Sequence, residues 1–154
     1  MKDNTLKIDW SHVSIYLTAM IKRIKPYPEA VIGILNGGAY VASSVAGHFG
    51  IPLDFMKIKS YTDMSKGKNH IWAVPVMNIK DKNIVLVDDI YDTGETLEIA
   101  VNHLSNPGTD NIPRHIIKAV LTTKNTNSNI PHLVWGTAVD KDSWVEFPWE
   151  GSAY

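Results

Sequence analysis

The sequence predicts an α/β domain with a mainly parallel sheet, and three observations indicate this class. Short apolar runs alternate along the chain with segments of helical periodicity, which is the order of elements in a sheet covered by helices. The central runs, AVIGIL at 30–35 and IVLV at 84–87, are continuously apolar, as are strands covered on both faces. The 154 residues contain no internal repeat or low-complexity segment, and this length is typical of one domain.

The first predicted element is an amphipathic helix between Trp10 and Lys25, with Asp9 or Ser11 available as its N-cap. The apolar residues at helical spacing are Val13, Leu17, Met20, Ile21 and Ile24. Two prolines in KPYPEA then interrupt the pattern.

The remaining elements follow from apolar runs and from the residues that interrupt them. A helix is predicted to begin after the glycine pair in NGGAYVASSVAGHFG and to end at Gly50, because glycine is favoured just past a helix C-terminus. Another helix is predicted from about Glu95 to Leu104. Pro75 confines IWAVPVM to a sheet edge or an irregular position. Strands are predicted at AVIGIL, IPLDFMKIKSY, KNIVLVDDI, RHIIKAVLTT and PHLVWGTAV.

Composition and charge exclude several classes of protein. With 44% hydrophobic and 20% charged residues, the chain has the composition of a soluble globular protein. The formal net charge of -1 provides no general attraction to nucleic acid or anionic membranes, so no nucleic-acid partner is expected. The absence of cysteine excludes disulfides, thiolate metal sites and thiol nucleophiles.

The same sequence gives an expectation about location. The segment MKDNTLKIDW carries charged residues where a signal peptide carries its apolar stretch. No run approaches the roughly 18 apolar residues of a membrane span. We therefore expect a cytoplasmic protein with no integral membrane association.

Three loops concentrate the polar residues of interest. They are LNGGAY after the first core strand, KSYTD after the second and DDIYDTGET after the third. In α/β sheets ligands bind beyond the carboxyl ends of the strands. We therefore expect these loops to form one site.

The loop DDIYDTGET has the chemistry of a phosphate site. Backbone N–H groups from Asp92 to Thr96 and the threonine hydroxyls can surround a phosphate at the positive end of a helix, and Gly94 allows close approach. Asp88 and Asp89 only accept hydrogen bonds, which suits a ribose diol or the water shell of Mg²⁺. From spacing alone, capping or turn roles for these aspartates stay open.

IVLVDDIYDTGET resembles, without a gap, the phosphoribosyl-pyrophosphate motif of the type I phosphoribosyltransferases. The resemblance implies the fold of that family, with a core at about 28–124 and a small hood formed by about 125–154 and the N-terminal segment. It also implies that Mg²⁺ is the cofactor. The residues implied to bind the phosphate and ribose of phosphoribosyl pyrophosphate are Asp88, Asp89, Thr93, Gly94, Glu95 and Thr96.

Further segments resemble the 6-oxopurine branch of this family, and the bacterial xanthine-guanine phosphoribosyltransferases in particular. ILNGGAY resembles the pyrophosphate loop, with a non-proline cis peptide implied between Leu35 and Asn36, and Gly37 and Gly38 offering backbone N–H groups to pyrophosphate. KSYTD resembles the start of the mobile active-site loop at Ser60 and Tyr61. DKDSWVEFPWE resembles the base-binding segment.

The resemblance implies roles for the residues around the purine base. Asp92 stands at the general acid/base position and would take the proton from purine N7 as N9 attacks. Lys124 would donate to the 6-oxo group, Trp144 would stack on the base, and the Val145 carbonyl would accept from a 2-amino group. The implied metal ligands are Asp88 and Asp89, with Glu146 or Glu150 through water.

The expected activity is therefore purine salvage, in which guanine, xanthine or hypoxanthine and phosphoribosyl pyrophosphate give the nucleoside monophosphate and pyrophosphate. Relatives of this type are homodimers or homotetramers. Two alternatives stay open. One is a regulator of the same fold that binds RNA or a nucleotide and has little activity. The other is a phosphoribosyltransferase for another base, such as a pyrimidine.

One position departs from the family pattern. Asn36 stands before the glycine pair, where the relatives carry lysine or arginine. A neutral amide offers pyrophosphate no Coulombic attraction, so the task passes to Mg²⁺, to a neighbouring subunit, or to Lys66 and Lys68 in the mobile loop. The same departure keeps the regulator hypothesis open.

Overall fold

The structure, a computed structural model, describes residues 4–59, 70–127 and 129–151. Within these ranges the chain forms three helices and two sheets. The helices are α1 (Trp10–Lys22), α2 (Ala39–Phe49) and α3 (Glu95–Leu104). The strands are β1 (Thr5–Lys7), β2 (Ala30–Leu35), β3 (Leu53–Lys59), β4 (His70–Ala73), β5 (Asn83–Tyr91), β6 (His115–Thr123), β7 (Leu133–Ala138) and β8 (Trp144–Glu146).

The larger sheet has the strand order β4-β3-β2-β5-β6-β7. All neighbouring pairs are parallel except β3 and β4, which are antiparallel. The predicted α/β class with a mainly parallel sheet is confirmed. The edge strand β4 ends before Pro75, since proline cannot donate to a ladder.

The continuous apolar strands bury side chains on both faces of this sheet. From β5, Val85 and Val87 face the layer that contains α1 and α2, while Ile84 and Leu86 face the layer that contains α3. All four side chains are fully buried, which is worth about 1.5–3 kcal/mol for each large aliphatic side chain. This two-sided burial fixes β5 in the middle of the sheet and places its carboxyl end between those of β2 and β6.

Helix α1 begins as predicted and ends earlier than predicted. The Asp9 side chain accepts a hydrogen bond from the His12 N–H at 2.9 Å, so Asp9 is the N-cap. The helix ends at Lys22 rather than Lys25, with Arg23 as C-cap. Lys25 precedes a proline, and a residue in that position is disfavoured in helical conformation. Helix α2 ends at Gly50 as predicted, in the left-handed conformation with φ of 64°.

The second sheet joins the two ends of the described chain. Its strands β1 and β8 are parallel and three residues long each, too short for an alternation pattern to predict them. An aromatic cluster packs beside it, in which the Trp149 ring stacks on Phe147 at 4.8 Å and on Tyr40 at 5.4 Å between centroids. Trp10 lies 6.0 Å from Trp149. The cluster ties the starts of α1 and α2 to the C-terminal segment.

None of the described helices combines the length and the apolar character needed to span a lipid bilayer.

Candidate active site

The predicted site residues collect at the carboxyl ends of β2, β5 and β6. These three strands are neighbours, because β5 pairs with β2 on one side and with β6 on the other. Asn36 follows β2, Asp88 and Asp89 lie near the end of β5, and Lys124 follows β6. The parallel arrangement thus brings residues that are far apart in sequence to one edge of the sheet.

The turn between β5 and α3 forms a small anion-sized cavity. Gly94 has a φ of 87°, and a side chain there would collide with the Tyr91 ring, so both the conformation and the space require glycine. The N-cap residue Gly94 makes no side-chain hydrogen bond to α3, and the Glu95 N–H donates to Thr93 Oγ1 at 3.4 Å, so the first-turn N–H groups after Glu95 are left to a ligand. The cavity has a volume of about 130 Å³ and lies among residues from Asp88 to Leu97. Thr93, Glu95 and Thr96 line it.

Asp88 and Asp89 are adjacent carboxyl groups that are both buried, with exposures of 9% and 8%. Asp88 Oδ1 accepts a hydrogen bond from the Asp89 N–H at 2.9 Å. Burial raises the pKa of Asp88 well above its usual value, and the charge of Asp89 raises it further. Burial also raises the pKa of Asp89 to about 6, to which the Glu150 carboxylate contributes. The pair therefore retains a proton that a cation can displace.

The carboxylate pair fits a magnesium ion. Oxygen ligands from one or two carboxylates, completed by water and substrate phosphate, are the usual environment of Mg²⁺. A Cβ at Gly37 would overlap the Asp89 carboxylate. Because Gly37 has no side chain, the loop leaves space for that carboxylate. Asp88 and Asp89 would hold the ion. In the described part of the chain no three acidic or histidine side chains form a group that could hold a metal.

Glu146 does not join the carboxylate pair. Its Oε2 lies 4.0 Å from Lys7 Nζ, across the small sheet. Glu150 is the acidic residue of the C-terminal segment whose charge acts on Asp89. A water-mediated contact of Glu146 with a metal stays a prediction.

The loop after β2 lies against the carboxylates. Its Leu35–Asn36 peptide is cis, as the resemblance implies. The Gly38 N–H donates to the Ile34 carbonyl at 2.9 Å, so this amide does not face a ligand, contrary to the prediction for it. Of the two glycine amides in the described residues of this loop, the Gly37 N–H is therefore the one that can donate to a ligand. A Cβ at Gly38 would come within 2.7 Å of the Val87 carbonyl oxygen, which explains the second glycine.

A lysine and an aspartate meet where the base is expected. Lys124 Nζ lies 3.2 Å from Asp92 Oδ2, and the two side chains are 14% and 60% exposed. The Lys124 N–H donates to the Tyr91 carbonyl at 2.9 Å, which fixes the end of β6 against the end of β5. A donor-only ammonium and a carboxylate that can take a proton therefore stand side by side.

Strand β8 presents an aromatic surface and a backbone acceptor. Trp144 is 70% exposed, whereas Val145 is buried. The Trp144 N–H donates to the Asn4 carbonyl and the Glu146 carbonyl accepts from the Ile8 N–H, each at 2.9 Å. Because backbone groups alternate in direction along a strand, the Val145 carbonyl points away from β1.

A larger cavity of about 580 Å³ adjoins the loop after β2. Glu150 borders it, and its Oε2 accepts a hydrogen bond from the Phe147 N–H at 3.0 Å, closing the turn FPWE. The lining residues are Asn36, Gly37, Ala39, Tyr40, Trp149 and Glu150. Asp88 lines the cradle at Gly94, and Gly37, which lines the larger cavity, lies against the Asp89 carboxylate.

Part of the predicted site lies outside the described residues. This applies to Ser60, Tyr61, Lys66 and Lys68. Conversely, the sequence analysis missed Lys57, whose Nζ donates to Asn36 Oδ1 at 3.4 Å. The alternation of LDFMKIK places Lys57 on one face of β3, yet only the strand register shows which loop it reaches.

The fold and the site together define an α/β protein with an anion-sized cradle beside a carboxylate pair. The phosphoribosyl transferase domain family matches residues 14–153, and the chain belongs to this family.

Relatives carry more than one kind of name. The bifunctional protein PyrR of Geobacter sp. (strain M21) is 30% identical over 80% of this chain and 77% of its own length. The xanthine-guanine phosphoribosyltransferase of Desulfotalea psychrophila is 27% identical over 95% and 86%. The transcriptional regulator GfcR of Methanothrix thermoacetophila is 29% identical over 67% and 58%.

Among solved structures, the purine phosphoribosyltransferase of Pyrococcus horikoshii is similar to this chain with a TM-score of 0.82 and 27% identity. The match covers 98% of this chain and 97% of that one. The type I phosphoribosyltransferase fold is thus confirmed. The relatives' names show a mixed family, so the substrate must be argued from the site.

Proposed function

We propose that the protein is a purine salvage phosphoribosyltransferase that joins a 6-oxopurine to the ribosyl group of phosphoribosyl pyrophosphate. The observation that carries the proposal is the ion pair between Lys124 and Asp92, 3.2 Å apart at the end of the sheet. It places a donor for an exocyclic oxygen next to a proton acceptor. The similarity to xanthine-guanine and purine phosphoribosyltransferases supports the same substrate class.

The substrate would be held in three parts. Its 5-phosphate enters the cradle at Gly94, at the N-terminus of helix α3, where the glycine supplies no side-chain cap. Its ribose hydroxyls face Asp88 and Asp89. Its pyrophosphate lies against the loop at Asn36 and Gly37, next to the larger cavity. Mg²⁺ held by the carboxylate pair would stabilise the negative charge on the departing pyrophosphate.

The base would be held by Lys124, which follows β6, and by two residues of β8. Its ring stacks on the exposed Trp144, and its 6-oxo group accepts from Lys124. Its 2-amino group, where present, donates to the Val145 carbonyl. Adenine presents an amino group at position 6 and gives the ammonium no comparable acceptor, so the site favours oxopurines.

The reaction replaces one bond at the anomeric carbon by another. The C1′–O bond to pyrophosphate breaks with its electron pair on oxygen, and N9 of the base bonds to C1′. The base loses a proton, which Asp92 accepts from N7. The products are the nucleoside monophosphate and pyrophosphate.

The test is product formation from phosphoribosyl pyrophosphate, Mg²⁺ and each of guanine, hypoxanthine, xanthine, adenine and uracil, with Asp92→Asn as control. Turnover of oxopurines that collapses in the variant supports the proposal and ranks the bases. Turnover restricted to uracil contradicts the purine assignment.

A second candidate is a nucleotide-binding regulator with little activity. Asn36 favours it, because it is neutral where the family pattern that the loop resembles has a basic residue. A relative named as a transcriptional regulator agrees with it. Binding of a nucleoside monophosphate without turnover of any of the five bases would select this candidate.

A further inference from the structure

Lys57 contacts the one position at which the pyrophosphate loop departs from the 6-oxopurine branch. Its Nζ donates to Asn36 Oδ1 at 3.4 Å. The sheet register pairs Lys57 with Leu35, the residue directly before Asn36. The pairing of β2 with β3 therefore places Lys57 next to the first residue of the loop after β2.

The charge of Lys57 is not balanced by an acidic side chain in the described part of the chain. Three other lysines, Lys7, Lys118 and Lys124, form ion pairs with carboxylates, and Lys59 lies over the Trp72 ring at 4.0 Å. Lys57 is half-buried, and its hydrogen-bond partner is the neutral side-chain amide of Asn36. A half-buried ammonium is stabilised by an anion, so the arrangement suits a ligand of negative charge.

The surroundings specify where such an anion would lie. Asn36 and Gly37 line the cavity of about 580 Å³, and Gly37 is in close contact with the Asp89 carboxylate. An anion at Asn36 would thus lie within reach of a cation held by Asp88 and Asp89. A diphosphate group bridging a divalent cation and a lysine has this distribution of charge.

We propose that Lys57 supplies the positive charge that the pyrophosphate loop lacks at Asn36, and that Asn36 is the positioning residue that directs the Lys57 ammonium toward the pyrophosphate group. This inference rests on the proposed function, which provides the ligand. The side-chain oxygen Oδ1 of Asn36 accepts a hydrogen bond from one of the three ammonium N–H groups. The other two N–H groups are left for phosphate oxygens. The loop of this chain then achieves with two side chains what a single basic residue does in its relatives.

The experiment measures the Kd of pyrophosphate, of phosphoribosyl pyrophosphate and of GMP by calorimetry in the presence of Mg²⁺. Lys57→Met keeps the length of the side chain and removes the charge. We expect it to weaken both pyrophosphate-containing ligands about ten- to one-hundredfold, as loss of a charge-assisted hydrogen bond does. GMP contains no pyrophosphate, so its Kd is expected to stay unchanged.

Lys22→Met is the matched control. Lys22 is an exposed lysine in the last turn of α1, outside the three loops of the predicted site. Unchanged pyrophosphate affinity in this variant supports a specific role for Lys57. An equal loss in the two variants would show general charge attraction and overturn the proposal.

Two further variants test the positioning role. Asn36→Ala is expected to weaken pyrophosphate binding in the wild-type chain and to have no further effect beside Lys57→Met, since interacting residues are not additive. Asn36→Lys is expected to restore affinity in the Lys57→Met chain. Additive losses would overturn the role of Asn36.

The failure of this proposal differs from the failure of the proposed function. If the wild-type chain binds phosphoribosyl pyrophosphate and Lys57→Met binds it equally well, the role of Lys57 is wrong and the proposed function stands. If the wild-type chain binds GMP and neither pyrophosphate ligand, both are overturned.

Discussion

Lys124 Nζ lies 3.2 Å from Asp92 Oδ2, so the proposed donor to the base and the proposed proton acceptor form an ion pair with each other. The pair joins the residue after β6 to the turn after β5. A base bound as proposed would take over part of this contact. A carboxylate held in this position suits a general base.

Removing either member of this pair should affect catalysis in a different way. We expect Asp92→Asn to lower kcat by about 10²–10⁴-fold, the usual contribution of a general base, with little change in the Kd of phosphoribosyl pyrophosphate. We expect Lys124→Met to lower kcat/KM for oxopurines by about ten- to one-hundredfold. Steady-state kinetics with guanine and hypoxanthine measure both effects.

Lys80 is exposed and lies far from Lys124 along the chain. Lys80→Met is therefore the control for the loss of one positive charge. Equal kcat/KM values for Lys124→Met and Lys80→Met would contradict the role of Lys124. A Lys124→Met chain that retains its preferred substrate would favour a base other than an oxopurine.

The carboxylate pair should make the ligand-free protein less stable at neutral pH. The unfolded chain ionises Asp89 near pH 3.8, whereas the folded chain retains the proton up to about pH 6. In this window the folded state binds more protons, so stability falls as the pH rises from about 4 to about 6. Asp89→Asn removes this cost, which is on the order of 3 kcal/mol at neutral pH.

Urea unfolding at pH 4 and pH 7.5 without Mg²⁺ measures this effect. The free energy of unfolding of Asp89→Asn should exceed that of the wild-type chain at pH 7.5 and approach it at pH 4. Asp110→Asn, at an exposed loop position, should change neither value. The same Asp89→Asn substitution should weaken Mg²⁺-dependent binding of phosphoribosyl pyrophosphate, so a variant that loses stability and keeps its binding would refute this interpretation.

The sequence predicted those parts of the molecule that depend on local pattern. Helix α3 was predicted from about Glu95 to Leu104 and spans those residues, because its start at Gly94 and its apolar spacing are local signals. The continuous apolar runs predicted the central strands and their carboxyl ends, whereas the placement of Asp92 and Lys124 at one base came from the family resemblance.

Contacts that depend on strand register or on chain ends could not be predicted in this way. Lys57 reaches Asn36 because it is paired with Leu35, and nothing in LDFMKIK specifies that register. Strands β1 and β8 have three residues each, and their pairing depends on folding the whole chain. The bond of the Gly38 N–H to Ile34 is likewise a property of the folded loop.

Two glycines, one in the loop after β2 and one in helix α2, allow a test in which two substitutions of the same kind have opposite effects. A Cβ at Gly37 would overlap the Asp89 carboxylate, so Gly37→Ala should displace that carboxylate and weaken Mg²⁺-dependent binding of phosphoribosyl pyrophosphate by tenfold or more, on the order of 1.4 kcal/mol. A Cβ at Gly47, in helix α2, meets nothing within 4 Å. Gly47→Ala should stabilise the protein by about 0.5–1 kcal/mol and leave binding unchanged.

Calorimetric titration and thermal unfolding of both variants check this prediction. Retained affinity in Gly37→Ala would mean that Asp89 can move without cost and does not hold the cation. Loss of affinity in Gly47→Ala would show that any change in α2 disturbs the site.

The exposed ring of Trp144 should contribute to binding of the base alone. Stacking of a base on an aromatic side chain is worth about 1–3 kcal/mol, so Trp144→Ala should raise KM for guanine by about five- to one-hundredfold. The Kd of phosphoribosyl pyrophosphate should not change, because the pyrophosphate loop and the cradle at Gly94 lie on other elements. Trp72→Ala, on the edge strand β4 with 55% of Trp72 exposed, is the control for loss of an exposed indole. If Trp144→Ala and Trp72→Ala have the same KM as the wild-type chain, the base stacks elsewhere, and strand β8 then serves only to join the two ends of the chain.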